Sequence, residues 1–467
     1  MAEHHIVLQP IDGSIIQRLY ARLEEQFASG EGIRGSIKGV DLAMLMNVPP
    51  TRLSSLKKAQ PGGLPEDEQD STRRTIKPSQ AVLTRLLLRY PHYAPLIPMP
   101  DAREVWRHVK PLISTEYFPE SRREASQIMF APLFGRSYPA SYKLLSGDDE
   151  SAGTASDPPS NVLRLFTLVM EKLAVVFRES LLQYLEEHAP ASVTEQARRR
   201  MPRNWLALNE EEDLIRDLVP SAYQQTFRMQ VHERKKGWFE LYLQVLSDEA
   251  VSRNLIERDA ITRGGWRNND ELAPESLFDF NIRQRPIVGG SEDIFQSLRN
   301  MGGVDLLNPD ADVSDEPMTS AEFFWLIGLN AKAYYSMLSH KKRRIDPTSS
   351  ILMRYLYRYP RDISTFISAP PLGRKVLERI REIDPSFRTS HLGPLFGGSY
   401  VSSYHFANSN HCPYDLRRLV GIFMDQVDSH PEIYQQIKQC AEEEAFARGV
   451  DRQTFWREAR WYPKEAK

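Results

Sequence analysis

IKPSQAVLTRLLLRYP at residues 76–91 is written again as IDPTSSILMRYLYRYP at residues 345–360. Eight of the sixteen positions are identical: Ile76, Pro78, Leu83, Arg85, Leu87, Arg89, Tyr90 and Pro91 recur 269 residues later. A second block, APLFGRSYPASY (131–142), returns as GPLFGGSYVSSY (393–404) with eight identities in twelve positions. Both blocks keep their order, which excludes chance and makes a repeated unit the first feature to read. Arg-Tyr-Pro closes the first block in both copies, where proline ends a helix and the tyrosine is expected to pack.

Weaker likeness extends outward. GVDLAMLMNVPPTRLSSL (39–56) follows the apolar pattern of SAEFFWLIGLNAKAYYSM (320–337), and VLRLFTLVMEKL (162–173) that of DLRRLVGIFMDQV (415–427). Acidic Gly/Pro/Ser-rich insertions at 59–71 and 146–160 lengthen the first copy, as solvated connections do. SIIQRLYARLEEQF (14–27) spaces its apolar residues as an amphipathic helix does, and convincing strands are scarce throughout. The expected fold is all-α, in four parts. An N-terminal amphipathic helix occupies 1–35, helical repeat 1 occupies 36–205, and a helical connector without a clear counterpart occupies 206–300. An acidic linker followed by helical repeat 2 occupies 301–467. Each copy is long enough for a self-sufficient core, so 1–205 is expected to fold alone.

Composition narrows the function classes. The chain has 467 residues, 41% hydrophobic and 26% charged, with no apolar run of membrane-spanning length and no signal-peptide pattern at its start. Two cysteines, Cys412 and Cys440, make no disulfide framework, so a cytoplasmic address is expected. The net charge of −2 hides a division. Residues 36–144 carry 16 Lys+Arg against 10 Asp+Glu, and residues 320–405 carry 13 against 6. The remainder is therefore acidic. Basic regions set in an acidic remainder are the footprint of a nucleic-acid partner.

Two places in each copy read as helix, sharp turn, helix. In the first, Leu42, Leu45 and Met46 form an apolar face, Asn47 stands at the turn, and Leu53 and Leu56 anchor a second helix. Gly328 takes the turn position in the second copy, where positive φ is needed; Asn is the usual substitute. In the second place, Gly135 closes one helix and Ser137 or Ser399 is placed to cap the next. The second helices would offer Thr51, Arg52, Ser54, Ser55, Lys57 and Lys58 in copy 1, and Lys332, Tyr335 and Ser336 in copy 2. The later motif would offer Arg136, Ser137, Tyr138, Ser141 and Lys143, and in copy 2 Ser399, Tyr400 and Ser402. Arginine can bond bidentately to guanine while serine and threonine adapt to either role. Basic runs at Arg73-Arg74 and His340-Lys341-Lys342-Arg343-Arg344 suit phosphates. Copy 2 has Gly398 where copy 1 has Arg136, so its second reader lacks the best base-contacting group.

The first motif resembles the phage-repressor-like helix-turn-helix superfamily over about twenty to forty residues per copy. The second is similar to the glycine, serine, then tyrosine reading helix of bacterial regulators. These resemblances imply a sequence-specific transcriptional regulator of bacterial type, with double-stranded DNA as partner and possible self-association or a co-regulator. A replication or partition protein of a mobile element is the alternative with the same architecture; a non-DNA-binding helical scaffold is the alternative of another class. No phosphate-binding loop, zinc-ligand spacing or nucleophile–base set is present, so neither enzyme activity nor a cofactor is expected. The acidic run Glu210–Asp213 is expected to open a helix, and Glu442–Glu444 to form a solvated face.

Overall fold

The computed structural model describes residues 9–27, 37–61, 75–113, 127–137, 139–145, 159–252, 318–328, 345–409 and 411–463. The fold is all-α. The first helices are α1 (Gly13–Phe27), α2 (Gly39–Leu45), α3 (Leu53–Leu56), α4 (Pro78–Arg89), α5 (Ala102–Val109) and α6 (Pro139–Leu145). They are followed by α7 (Ser160–His188), α8 (Ala191–Arg200), α9 (Glu211–Leu218) and α10 (Ser221–Ser252). The second part holds α11 (Ser320–Ile327), α12 (Pro347–Arg358), α13 (Gly373–Ile383), α14 (Leu392–Leu395) and α15 (Tyr400–Asn408). It closes with α16 (Arg417–Gln426), α17 (Ile433–Ala447) and α18 (Arg452–Glu458). A two-residue parallel bridge, Gln60–Pro61 with Thr75–Ile76, is the strand content of the described residues.

The boundaries follow local chemistry. α1 buries Ile15, Ile16, Leu19 and Leu23 along one stripe, as its spacing requires. The acidic run places Glu211, Glu212 and Asp213 in the first turn of α9, where carboxylates face the positive end of the helix dipole. The matched blocks become α4 and α12. Each has proline at its start and stops at Arg-Tyr-Pro, with Tyr90 and Tyr359 in the same non-helical conformation (φ −126°, ψ 67° and 68°). Both are buried on nearly every side, so they are the central helices of the core.

Each is covered by a helix from outside its own block. α17, from the second copy, packs on α4 of the first, while α10, from the connector, packs on α12 of the second. The ion pairs match position for position. Arg85 meets Glu444 at 2.8 Å and Arg89 meets Glu443 at 2.6 Å. On the other side Arg354 pairs with Glu249, and Arg358 with Asp248 at 3.3 Å. Asp248-Glu249-Ala250 thus does for α12 what Glu443-Glu444-Ala445 does for α4. The connector has a working counterpart after all. Glu444 also corrects the expected solvated face: it is fully buried between Arg85 and Arg448. A guanidinium inside an apolar helix must find a carboxylate there, and Glu444 is the one that Arg85 needs.

A second reciprocal seating involves two glycines. Gly135 of the first copy (φ +72°) lies so close to the start of α12 that an added Cβ would sit 2.8 Å from the Thr348 amide nitrogen. Gly397 of the second copy (φ +84°) abuts the start of α4, with an added Cβ 2.2 Å from Ser79 Cα. The Thr348 hydroxyl donates to the Phe134 carbonyl at 2.7 Å across the first of these contacts. Gly397→Ala is therefore expected to cost at least ~1–3 kcal/mol from the left-handed backbone alone, before the clash is counted. Gly421→Ala, with nothing within 4 Å, is the control; chemical denaturation compares them.

Buried side chains from Ile11 to Trp461, contributed by all four sequence segments, belong to one contiguous core. The expected self-sufficient core in each copy gives way to a shared one.

Candidate nucleic-acid interface

The first motif begins with α2, whose Leu42 and Leu45 are fully buried. Asn47 then turns the chain with φ 50°, the left-handed conformation that its short amide side chain tolerates. The next helix begins as a 3-10 turn, Pro50–Arg52, and continues as α3. Leu53 and Leu56 point into the core. Thr51, Arg52, Ser54, Ser55 and Lys58 face solvent, and Lys57 is half-buried. Lys57 is partly withdrawn because its ammonium lies 4.6 Å from the Tyr20 ring centroid while its carbonyl accepts from Gln17 at 2.9 Å. Arg52 and Lys58 have no ion-pair partner among the described residues.

Buried polar contacts hold the motif in place. The Arg164 guanidinium reaches Asp41 on α2 at 2.5 Å, donates to the Trp325 carbonyl at 2.8 Å and stacks 4.2 Å from the Trp325 ring centroid. Trp325 in turn donates its indole N–H to Asp41 at 2.6 Å, so α11 is bolted to α2. The second copy has the matching pairs, Arg417 to Glu322 at 3.3 Å and Arg418 to Glu322 at 2.8 Å. Gly328 caps α11 with φ 66°, as its turn position required. Each turn leans on the other copy. Asn47 Nδ2 donates to the Tyr414 carbonyl at 2.7 Å, and Tyr414 donates back to the Asn47 carbonyl at 3.3 Å. An added Cβ on Gly328 would lie 2.7 Å from Asn161 Cα.

In the second motif Gly135 is left-handed, as expected, but the residues after it divide. Ser137 and Lys143 are exposed, and Tyr142 is 58% exposed. Arg136 is half-buried, its guanidinium 3.4 Å from Asn161 Oδ1, where Asn161 also donates to Asp346 at 2.8 Å. Ser141 requires correction as a DNA contact. It is fully buried, accepts from the Ala131 amide at 2.9 Å and donates to the Ile128 carbonyl at 2.9 Å. Ser403 does the same in the second copy, to Gly393 and Ser390, each at 2.8 Å. Its recurrence in both copies marks a structural pin. Ser141→Ala is expected to cost about 1–3 kcal/mol of stability by stranding a buried amide, without changing any DNA preference of the folded protein; melting and binding read the two effects separately.

Ser399 caps α15 as expected, accepting from the Ser402 amide at 3.2 Å, while the Ser402 hydroxyl donates to the Ser399 carbonyl at 2.6 Å. Tyr400 is 48% exposed and shares a 3.2 Å hydrogen bond with Tyr404. Arg73, Arg74, Tyr138, Lys332, Tyr335, Ser336, His340, Lys341, Lys342, Arg343 and Arg344 lie outside the described residues.

No family model, curated protein or solved structure matches this chain. Cys412 and Cys440 are buried, and burial pushes both thiols up to about 12, so neither offers a thiolate at neutral pH. Among the described residues no helix is long and apolar enough to cross a membrane.

Sequence reading missed the groups that hold these motifs: Asp41, Arg164, Trp325, Glu322 and Arg417. A signal was present. An acidic residue sits at one place in both first helices, Asp41 and Glu322, and an arginine recurs in both matched helices, Arg164 and Arg417.

Proposed function

We propose that the chain is a non-enzymatic, cytoplasmic regulator that binds duplex DNA sequence-specifically. The observation that supports this most is the chemistry of the helix after the Asn47 turn. Its apolar residues are spent on the core, and what it shows to solvent is Thr51, Arg52, Ser54, Ser55 and Lys58, with no acidic side chain from Pro50 to Lys58. Small hydroxyls allow close approach to a groove, arginine can read guanine, and the lysines can neutralise phosphates. Arg136 is engaged beside Asn161, so the reading role passes to Arg52.

Arg52→Ala is expected to weaken binding at a selected site by about 1–3 kcal/mol and to relax one base position. Lys58→Ala should weaken all sequences about evenly. A competition assay over a site library reads both. Unchanged affinity and unchanged preference in Arg52→Ala would remove that helix from the interface.

A protein-binding scaffold is the second reading, favoured by Tyr400, Val401 and Tyr404 on α15, which are 48%, 61% and 42% exposed. Isolated exposed apolar groups are ordinary, but three on one short helix can anchor a partner. Substituting them should leave DNA affinity unchanged if that patch meets protein.

A further inference from the structure

We infer that the two sequence copies are related by an approximate two-fold axis, and that the target of a single chain is an inverted repeat rather than a direct one. The second part rests on the DNA-binding reading above.

Contacts between the two copies are reciprocal. When two like units pair about a two-fold axis, a contact from position i of one to position j of the other is repeated from i of the second to j of the first; a head-to-tail pairing gives no such return contact. Here the contacts return. Gly135 seats on Pro347–Thr348, and Gly397 seats on Pro78–Ser79. Pro78 and Pro347 are matched residues of the repeated block, as are Gly135 and Gly397 of the other. The Asn47 turn meets Tyr414, and the matching Gly328 turn meets Asn161. Tyr414 and Asn161 each stand three residues before the matched arginines Arg417 and Arg164. Finally α2 and α11, which are matched helices, pack on each other, as equivalent elements do where an axis passes.

A two-fold axis has a consequence for the ligand. The Asn47 and Gly328 turns, with α2 and α11 before them, are related by the axis and so run in opposite senses about it; half-sites met by the two copies then run in opposite senses on the duplex. Dimeric helix-turn-helix proteins achieve this with two chains; here one chain suffices. The copies are not identical in sequence over the repeated motif, so the two half-sites are expected to be unequal.

The test uses the full chain. A duplex is selected from a random pool, its half-site is rebuilt as inverted and direct repeats at several spacings, and affinity and mass of the complex are measured. Expected are one chain per inverted repeat and an affinity about a hundredfold or more above the best direct repeat, since the second contact is intramolecular only in the right geometry. A direct repeat bound as tightly, or two chains on one inverted repeat, overturns the inference while leaving DNA binding intact. Absence of any duplex binding overturns the functional reading itself, and the inverted-repeat target with it.

Discussion

Glu444→Gln is expected to lower stability by about 3–5 kcal/mol, among the largest effects of any single isosteric change in this protein. Glu444 is fully buried, with Arg85 at 2.8 Å on one side and Arg448 at 2.8 Å on the other, and both guanidiniums are themselves buried. Neutralising the carboxylate removes the negative charge that lies between two guanidiniums in a medium that solvates them poorly, which costs far more than the pair contributes while intact. Glu186→Gln is the comparison. Its partner Arg198 is 49% exposed and Glu186 is 54% exposed, so water takes over and the change should fall within about 1 kcal/mol. Urea denaturation of both variants decides the matter. Similar midpoints would show that the buried cluster is relaxed or hydrated in solution.

Dividing the chain should have a larger effect still. Fragments 1–252 and 318–467 are each expected to lack a cooperative melt, and to regain helix content and a single transition when mixed. α4 lies in the first fragment but is covered by α17 of the second, and α12 lies in the second but is covered by α10 of the first. Each fragment alone would expose a central helix whose arginine has lost its buried carboxylate, Glu444 from Arg85 in one and Glu249 from Arg354 in the other. Circular dichroism melting of the separate and mixed fragments measures this. A cooperative melt of 1–252 by itself would show that its half of the core is sufficient.

Much of this architecture was legible in the residues. Apolar spacing gave α1, the left-handed turn positions Asn47, Gly328 and Gly135 followed from steric preference, and Ser399 was recognisable as a cap. Pairing was not legible. Periodicity says which face of a helix is apolar and nothing about which helix covers it, so α4 and α12 were read as parts of separate modules when each is closed by a helix from elsewhere. Ser141 looked like a groove contact because serine is small and polar; its hydroxyl instead satisfies a buried amide. The counterpart of α17 was missed in the connector because its signature is only three residues long, Asp248-Glu249-Ala250 against Glu443-Glu444-Ala445. A stronger clue lay in α4 and α12 themselves. Two arginines four apart, Arg85 and Arg89 or Arg354 and Arg358, call for two adjacent carboxylates on the helix opposite.

The most direct test of duplex binding is a titration of the intact chain against a random-sequence fluorescent duplex at several salt concentrations. Bound lysines and arginines release counterions, so the logarithm of affinity is expected to fall linearly with the logarithm of salt, and Lys58→Ala should reduce that slope by about one unit. No detectable binding at low salt, or an affinity indifferent to salt, would contradict the DNA-binding account.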